Sequence, residues 1–239
     1  MSDPYNNPSS RGAYAGQVID AGLQSYMRSV YHTMGLGLVL TGFSAYAVAN
    51  VPALLHLFFG NMFVGMAVSF APLLFLFVVF TPARIQSMPV EKLMTMFSIF
   101  SILMGISLAS IFLSYSGASI ARVFFITAAT FGATSLYGYT TKRDLTAMGS
   151  FMAMGLIGII FAMIVNMFMH SATVQFVVSV IGVVVFTGLM AWETQNLKVT
   201  YRTGATEANA KMAISGAISL YLNFVNLFVL LLQLTGNRR

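Results

Sequence analysis

Six acidic residues occur in a chain of 239. Five of them, Asp3, Asp20, Glu91, Asp144 and Glu207, fall in tails or in polar stretches between hydrophobic runs. Glu193 is the exception. It sits in GLMAWETQNLK, one residue past Trp192, beside or within a long apolar segment. An ionisable group at membrane depth costs roughly 2.5 to 3.5 kcal/mol on insertion scales, so such a group faces a partner or a water-filled path. Glu193 is therefore either an interfacial carboxylate paired with Lys198 or Arg202, or the acid of a functional site. A second polar group lies near the C-terminus, where SLYLNFVNLF places Ser219, Asn223 and Asn226 at i, i+4 and i+7. This spacing puts them on one helical face. Apolar residues fill most intervening positions, so the stripe is expected to point into a helix bundle, where its amides need partners. It serves either as interhelical glue or as the lining of a pathway. Arg84, just beyond the second apolar run, either snorkels to the headgroups or turns inward to meet Glu193. His32, Asn166 and Arg122 lie near the ends of apolar runs and read as interfacial, and His56 and His170 belong to connections.

Catalytic signatures are missing. The chain has no HExxH, no P-loop, no GxSxG and no aspartate pair within a span, and YSGAS around Ser116 is too short of the nucleophile-elbow pattern to count. Zero cysteines remove disulfides, thiolate metal sites and cysteine nucleophiles together, and three histidines leave little for a zinc site. No enzymatic activity and no cofactor are expected.

The elements that must position these residues follow from composition. Apolar residues make up 58% of the chain and charged residues 8%, against about 25% charged in a soluble globular average. The mean hydropathy is +0.83. These values describe an all-α integral membrane protein with the lipid bilayer as its solvent, and exclude a water-soluble enzyme. A helical span needs roughly 20 mostly apolar residues, and seven segments qualify: 31–50, 61–80, 93–114, 121–139, 148–170, 174–192 and 212–234. Strands of a barrel are too short to account for them. The polar first 28 residues contain no signal-peptide core. The expected organisation is a flexible polar tail over 1–28, a seven-helix transmembrane domain over 29–236 and a short basic tail over 237–239.

The formal charge of +6 does not mark a nucleic-acid binder, because the basic residues are scattered between spans as topology signals. With the N-terminus in the cytoplasm, Arg11, Arg28, Arg84, Lys92, Lys142, Arg143, Lys198, Arg202 and Lys211 lie inside, and Arg122, Arg238 and Arg239 lie outside. That asymmetry favours N-inside and C-outside, unless the last helix dips into the bundle and returns. Small residues recur four apart, as in Gly105 with Ala109, Ala128 with Gly132, Gly149 with Ala153, and Ala213 with Ala217, which suits close helix packing in lipid. Pro72 is expected to kink the second span.

GLMAWETQNLK after the sixth hydrophobic run, SGAISLYLNFVNLFVLLLQLTG at the end, TTKRDLTAMGSFMAMGLIGIIFA and the spacing of the seven spans together resemble the Bax inhibitor family. The match extends from about Arg28 to Gly236 and is similar to the bacterial branch of transmembrane Bax-inhibitor-motif proteins. The resemblance implies a seven-helix bundle with a central C-terminal helix, a bacterial inner-membrane location and, in some members, a pH-sensitive calcium leak. There the sensor is a pair of aspartates from the sixth and seventh spans, latched to an arginine near the second. Carried over by motif, these positions are Glu193 and Asn223, with Arg84 matched by spacing alone. Both acid positions depart from the pattern. Two neighbouring carboxylates share a proton, and Asn223 cannot, so pH gating is expected to be altered or weakened. Glu193, with the amide oxygens of Asn223 and Asn226, would also be a poor calcium site, since hard cations favour several oxygen ligands including carboxylates. The resemblance leaves two functional expectations. One is a cation leak, with calcium the favoured ion. The other is a non-enzymatic modulator of a membrane-bound protease or quality-control complex.

Overall fold

The computed structural model describes residues 8–238, with side chains described from residue 21 onward. Long apolar runs with no water to bond their backbone must close their hydrogen bonds internally, and they do so as helices. In chain order these are α1 (Pro8–Asn50), α2 (Pro52–Phe59), α3 (Met62–Val79), α4 (Pro82–Ser87), α5 (Val90–Ser114), α6 (Gly117–Thr140), α7 (Thr146–Met169), α8 (Ala172–Thr200) and α9 (Thr206–Thr235). Seven of them are long and apolar enough to cross a bilayer, and the chain is an all-α membrane protein.

The spans follow the hydrophobic runs, with three differences. First, α1 is helical well before the expected start at residue 31: Tyr26 and Met27, assigned to the tail by composition, are buried in the core. The polar residues around them form the outer face of the same helix. Residues 1–7 of the expected tail lie outside the described residues. Second, α8 continues past Trp192 to Thr200, because the polar TQNLK segment keeps its helical bonds and uses its side chains on neighbouring elements. Third, two short helices, α2 and α4, occupy connections. Each opens on a proline at its first position, where the missing N–H leaves no bond unmade. Pro72 lies inside α3 and is buried, and the helix runs through it without a break.

α9 is the central helix. Half of its apolar stretch is buried, against 6% in α3 and α7, and it packs against α8, α1, α6 and α5. At 30 residues it spans roughly 45 Å, more than the hydrocarbon thickness of about 30 Å. It does not re-enter. Near its start, Lys211 Nζ donates to the Gln86 carbonyl of α4 at 3.0 Å. Past its end, Arg238 pairs as an isolated bridge with Tyr115 between α5 and α6, Ser116 N–H donates to the Asn237 carbonyl at 3.1 Å, and Asn237 N–H donates to Ser119 Oγ at 3.1 Å. The two ends of α9 are thus fixed at the opposite ends of α5.

Small residues set the closest approaches. Gly105 of α5 lies against the Thr41 backbone of α1, and Gly138 of α6 lies against the Ala191 backbone of α8, with no room at either for a Cβ. Gly132, by contrast, faces open space, so the Ala128 and Gly132 pair is not a packing step. In the core, Tyr221 of α9 is fully buried with its hydroxyl 2.6 Å from Thr41 Oγ1, which also lies 2.9 Å from the Ser101 carbonyl. Phe97 and Phe100 of α5 meet the Tyr221 ring edge-on.

Candidate functional site

Glu193 lies in the interior of α8, two turns before its end, and is half-buried. Its carboxyl faces the Ser219 hydroxyl of α9. Tyr26 of α1 lies close enough to feel its charge, and the Tyr26 hydroxyl is the buried side-chain polar atom left without a partner among the described residues. Three helices therefore converge on one acid. The alternative of an interfacial ion pair is not what forms. Lys198 instead donates to the Tyr139 carbonyl at 2.9 Å and lies 5.0 Å from the centre of the Tyr139 ring. Among the described residues the one ion pair joins Lys211 to Glu207, within the first turns of α9.

The rest of the Glu193 segment is engaged in holding the bundle. The Trp192 ring covers Gly149 of α7, and Leu197 packs on Gly216 of α9. Thr194 is fully buried and its hydroxyl reaches Ser135 of α6 at 3.4 Å. Gln195 takes the Leu145 N–H at 2.8 Å and donates to the Arg143 carbonyl at 2.8 Å, which ties the turn between α6 and α7 to α8. Helical periodicity distributes these neighbours around the helix and leaves Glu193 facing α9 and α1.

The other expected site residues are only partly brought together. Asn223 is half-buried one turn beyond Ser219, and Asn226 is exposed. The polar stripe was expected to point wholly into the bundle; that is corrected at Asn226. The expectation rested on the apolar residues between these positions, whereas the polar contacts of this face with α8 fall at its two ends. They are Ser219 with Glu193 and Gln233 with Ser179 at 3.2 Å, and Asn226 lies between them. Arg84 is also corrected. It is exposed on α4, and it makes no ion pair with Glu193. The chain leaves α3 at Phe80 and restarts a separate helix at Pro82, so Arg84 does not continue the inward face of the second span.

Chemically the site offers one carboxylate, the Ser219 hydroxyl and the Tyr26 phenol. No group of three histidine or acidic side chains gathers among the described residues. Ser219 was already visible on the polar stripe. Tyr26 was not, because a phenol in a polar stretch carries no sequence signal of membrane depth.

Residues 23–239 match the sequence model of the family described as inhibitor of apoptosis-promoting Bax1. The chain is 46% identical over 227 residues to protein RP147 of Rickettsia prowazekii (strain Madrid E), covering 93% of this chain and 94% of that one. It is 45% identical over 224 residues to the inner membrane protein YbhL of Escherichia coli (strain K12), covering 92% and 94%. With a membrane protein of Streptococcus pyogenes serotype M1 it shares 31% identity over 219 residues, covering 91% and 94%.

Proposed function

Since the chain belongs to the Bax inhibitor family, we propose that it is a cation leak of the bacterial inner membrane, with calcium the favoured ion and the N-terminus in the cytoplasm. The observation that carries this reading is Glu193: a lone carboxylate of a long apolar helix, half-buried where α8, α9 and α1 converge. A carboxylate at that depth attracts cations and repels anions, and the exposed Asn226 beyond it offers an amide oxygen on the same face of α9. The pH response is that of an altered gate. Asn223 supplies no second carboxylate, and Arg84 lies on the surface rather than closing over Glu193. The test is calcium flux into dye-loaded liposomes at several pH values, with Glu193→Gln and empty vesicles as comparisons. Flux above empty vesicles that changes in Glu193→Gln is expected, and no flux from folded protein at any pH sinks the reading.

The second reading, a modulator of a membrane-bound protease, is favoured by the same missing latch, since the residues around Glu193 are engaged in packing rather than gating. Removing residues 2–20 tests it, a cut that stops short of the buried Tyr26 and Met27. It should change the turnover of protease substrates in cells while leaving calcium flux intact. Unchanged turnover in cells lacking the whole protein removes this reading.

A further inference from the structure

α1 and α6 do not close on one another at the basic end of the bundle. They meet through Tyr31 and Phe131, edge-on with ring centres 6.0 Å apart, and beside this contact a cavity of about 840 Å³ opens between them. Gln24, Arg28 and His32 of α1, with Ser135 and Tyr139 of α6, form its polar part, and Phe131, Gly132 and Leu136 its apolar part. Gly132 explains the space: a Cβ there would meet nothing within 4 Å.

We propose that this cavity binds an anionic phospholipid. Two independent features select that class of ligand. The first is charge. Arg28 lines the cavity, and no acidic residue lines it among the described residues. The exposed Gln24 amide, one turn from Arg28, adds donors that a phosphate accepts. Basic pockets between transmembrane helices hold anionic headgroups in this way. The second feature is the opposite wall. Leu136 is 64% exposed and flanks Gly132 within an apolar helix, so beyond Arg28 the cavity opens sideways to lipid. A soluble anion matches only the first half of the site and an acyl chain only the second. A ligand with a charged head and an apolar tail matches both, and the polar half lies at the end of α6 that carries Lys142 and Arg143, at headgroup level. The proposal stands apart from the leak, because lipid binding is read without any ion flux.

Native mass spectrometry of the full-length protein in detergent tests it, titrating phosphatidylglycerol against phosphatidylcholine of the same acyl chains. Preference for phosphatidylglycerol is expected. Arg28→Gln should weaken phosphatidylglycerol binding about fivefold, the loss of one basic side chain near the surface, and leave phosphatidylcholine unchanged. Gly132→Leu should reduce the binding of both lipids by filling the cavity; its side chain enters open space and leucine is the better helix former. Arg28→Gln leaves the packing untouched and keeps the test intact should the larger side chain impair folding. Equal binding of the two lipids by the wild type overturns the proposal, as does unchanged phosphatidylglycerol binding in both variants. Displacement of the lipid by inorganic phosphate would also overturn it, by showing a site for a soluble anion.

Discussion

Tyr221 shows how much a single hydroxyl can fasten. Thr41 has one hydroxyl proton, and it goes to the Ser101 carbonyl at 2.9 Å. The Tyr221 hydroxyl at 2.6 Å must therefore be the donor to Thr41 Oγ1, which links α9 to α1 and α5 in one chain of bonds. Tyr221→Phe removes a donor but orphans none, so it should cost about 1 kcal/mol. Thr41→Val strands the fully buried Tyr221 hydroxyl and should cost more, about 1 to 3 kcal/mol. Thermal unfolding of the purified protein reads both, and equal midpoints for the two variants would refute the assignment of donors. At the candidate site, Asn223→Asp restores a second carboxylate one turn from Ser219. It should steepen the dependence of calcium flux on pH, because neighbouring carboxylates share a proton. Identical profiles would show that positions 193 and 223 do not communicate. Glu193 was legible in the sequence because a lone acid among apolar residues announces its own cost. The orientation of Arg84 was not, since a long flexible side chain at a helix junction points wherever the junction turns.

Elements were more legible than residues, because the membrane fixes their length. Seven apolar runs became seven helices, and small residues four apart marked close approaches such as Gly105 on α1. The same pattern also misled, since Gly132 faces a cavity, and spacing cannot tell a packed glycine from an open one. The contrast is testable within the bundle. At Gly138 a Cβ would run into the Ala191 backbone, which cannot rotate away, so Gly138→Ala should force α6 from α8 at a cost of about 1 to 3 kcal/mol. Gly158 of α7 has nothing within 4 Å, and Gly158→Ala should stabilise by about 0.5 to 1 kcal/mol through helix propensity alone. Thermal midpoints moving in opposite directions check the pair. The start of α7 has a pH dependence of its own. Asp144 lies outside the spans and accepts from the Thr146 N–H at 2.9 Å. Its hydrogen bonds with Thr146 hold the carboxyl below the usual aspartate range. Its contribution is therefore present above that range and is lost as pH falls through the lowered value. Faster amide exchange at Thr146 on acidification, corrected for the intrinsic rate, is the expected readout.

For the molecule as a whole, the decisive feature is that α9 is pinned at both ends. An odd number of spans places the two termini on opposite sides, and the alternative of a last helix that turns back is removed by the Tyr115 and Arg238 bridge at the far end. Charge is segregated accordingly. Arg28, Arg84, Lys92, Lys142, Arg143, Lys198, Arg202 and Lys211 gather at the end where α9 begins, and Arg122 and Arg238 lie toward the other. By the positive-inside rule we propose that the first end faces the cytoplasm, which would also place the cavity between α1 and α6 at the cytoplasmic leaflet. The chain has no cysteine, so single introduced thiols report without background. Ala118→Cys, exposed at the start of α6, should react with a membrane-impermeant maleimide added to intact cells whose outer membrane has been made permeable. Gln86→Cys, exposed on α4, should react only after the inner membrane is opened. The reverse pattern would place the N-terminus outside, and labelling of both before opening would contradict the crossing of α5 itself.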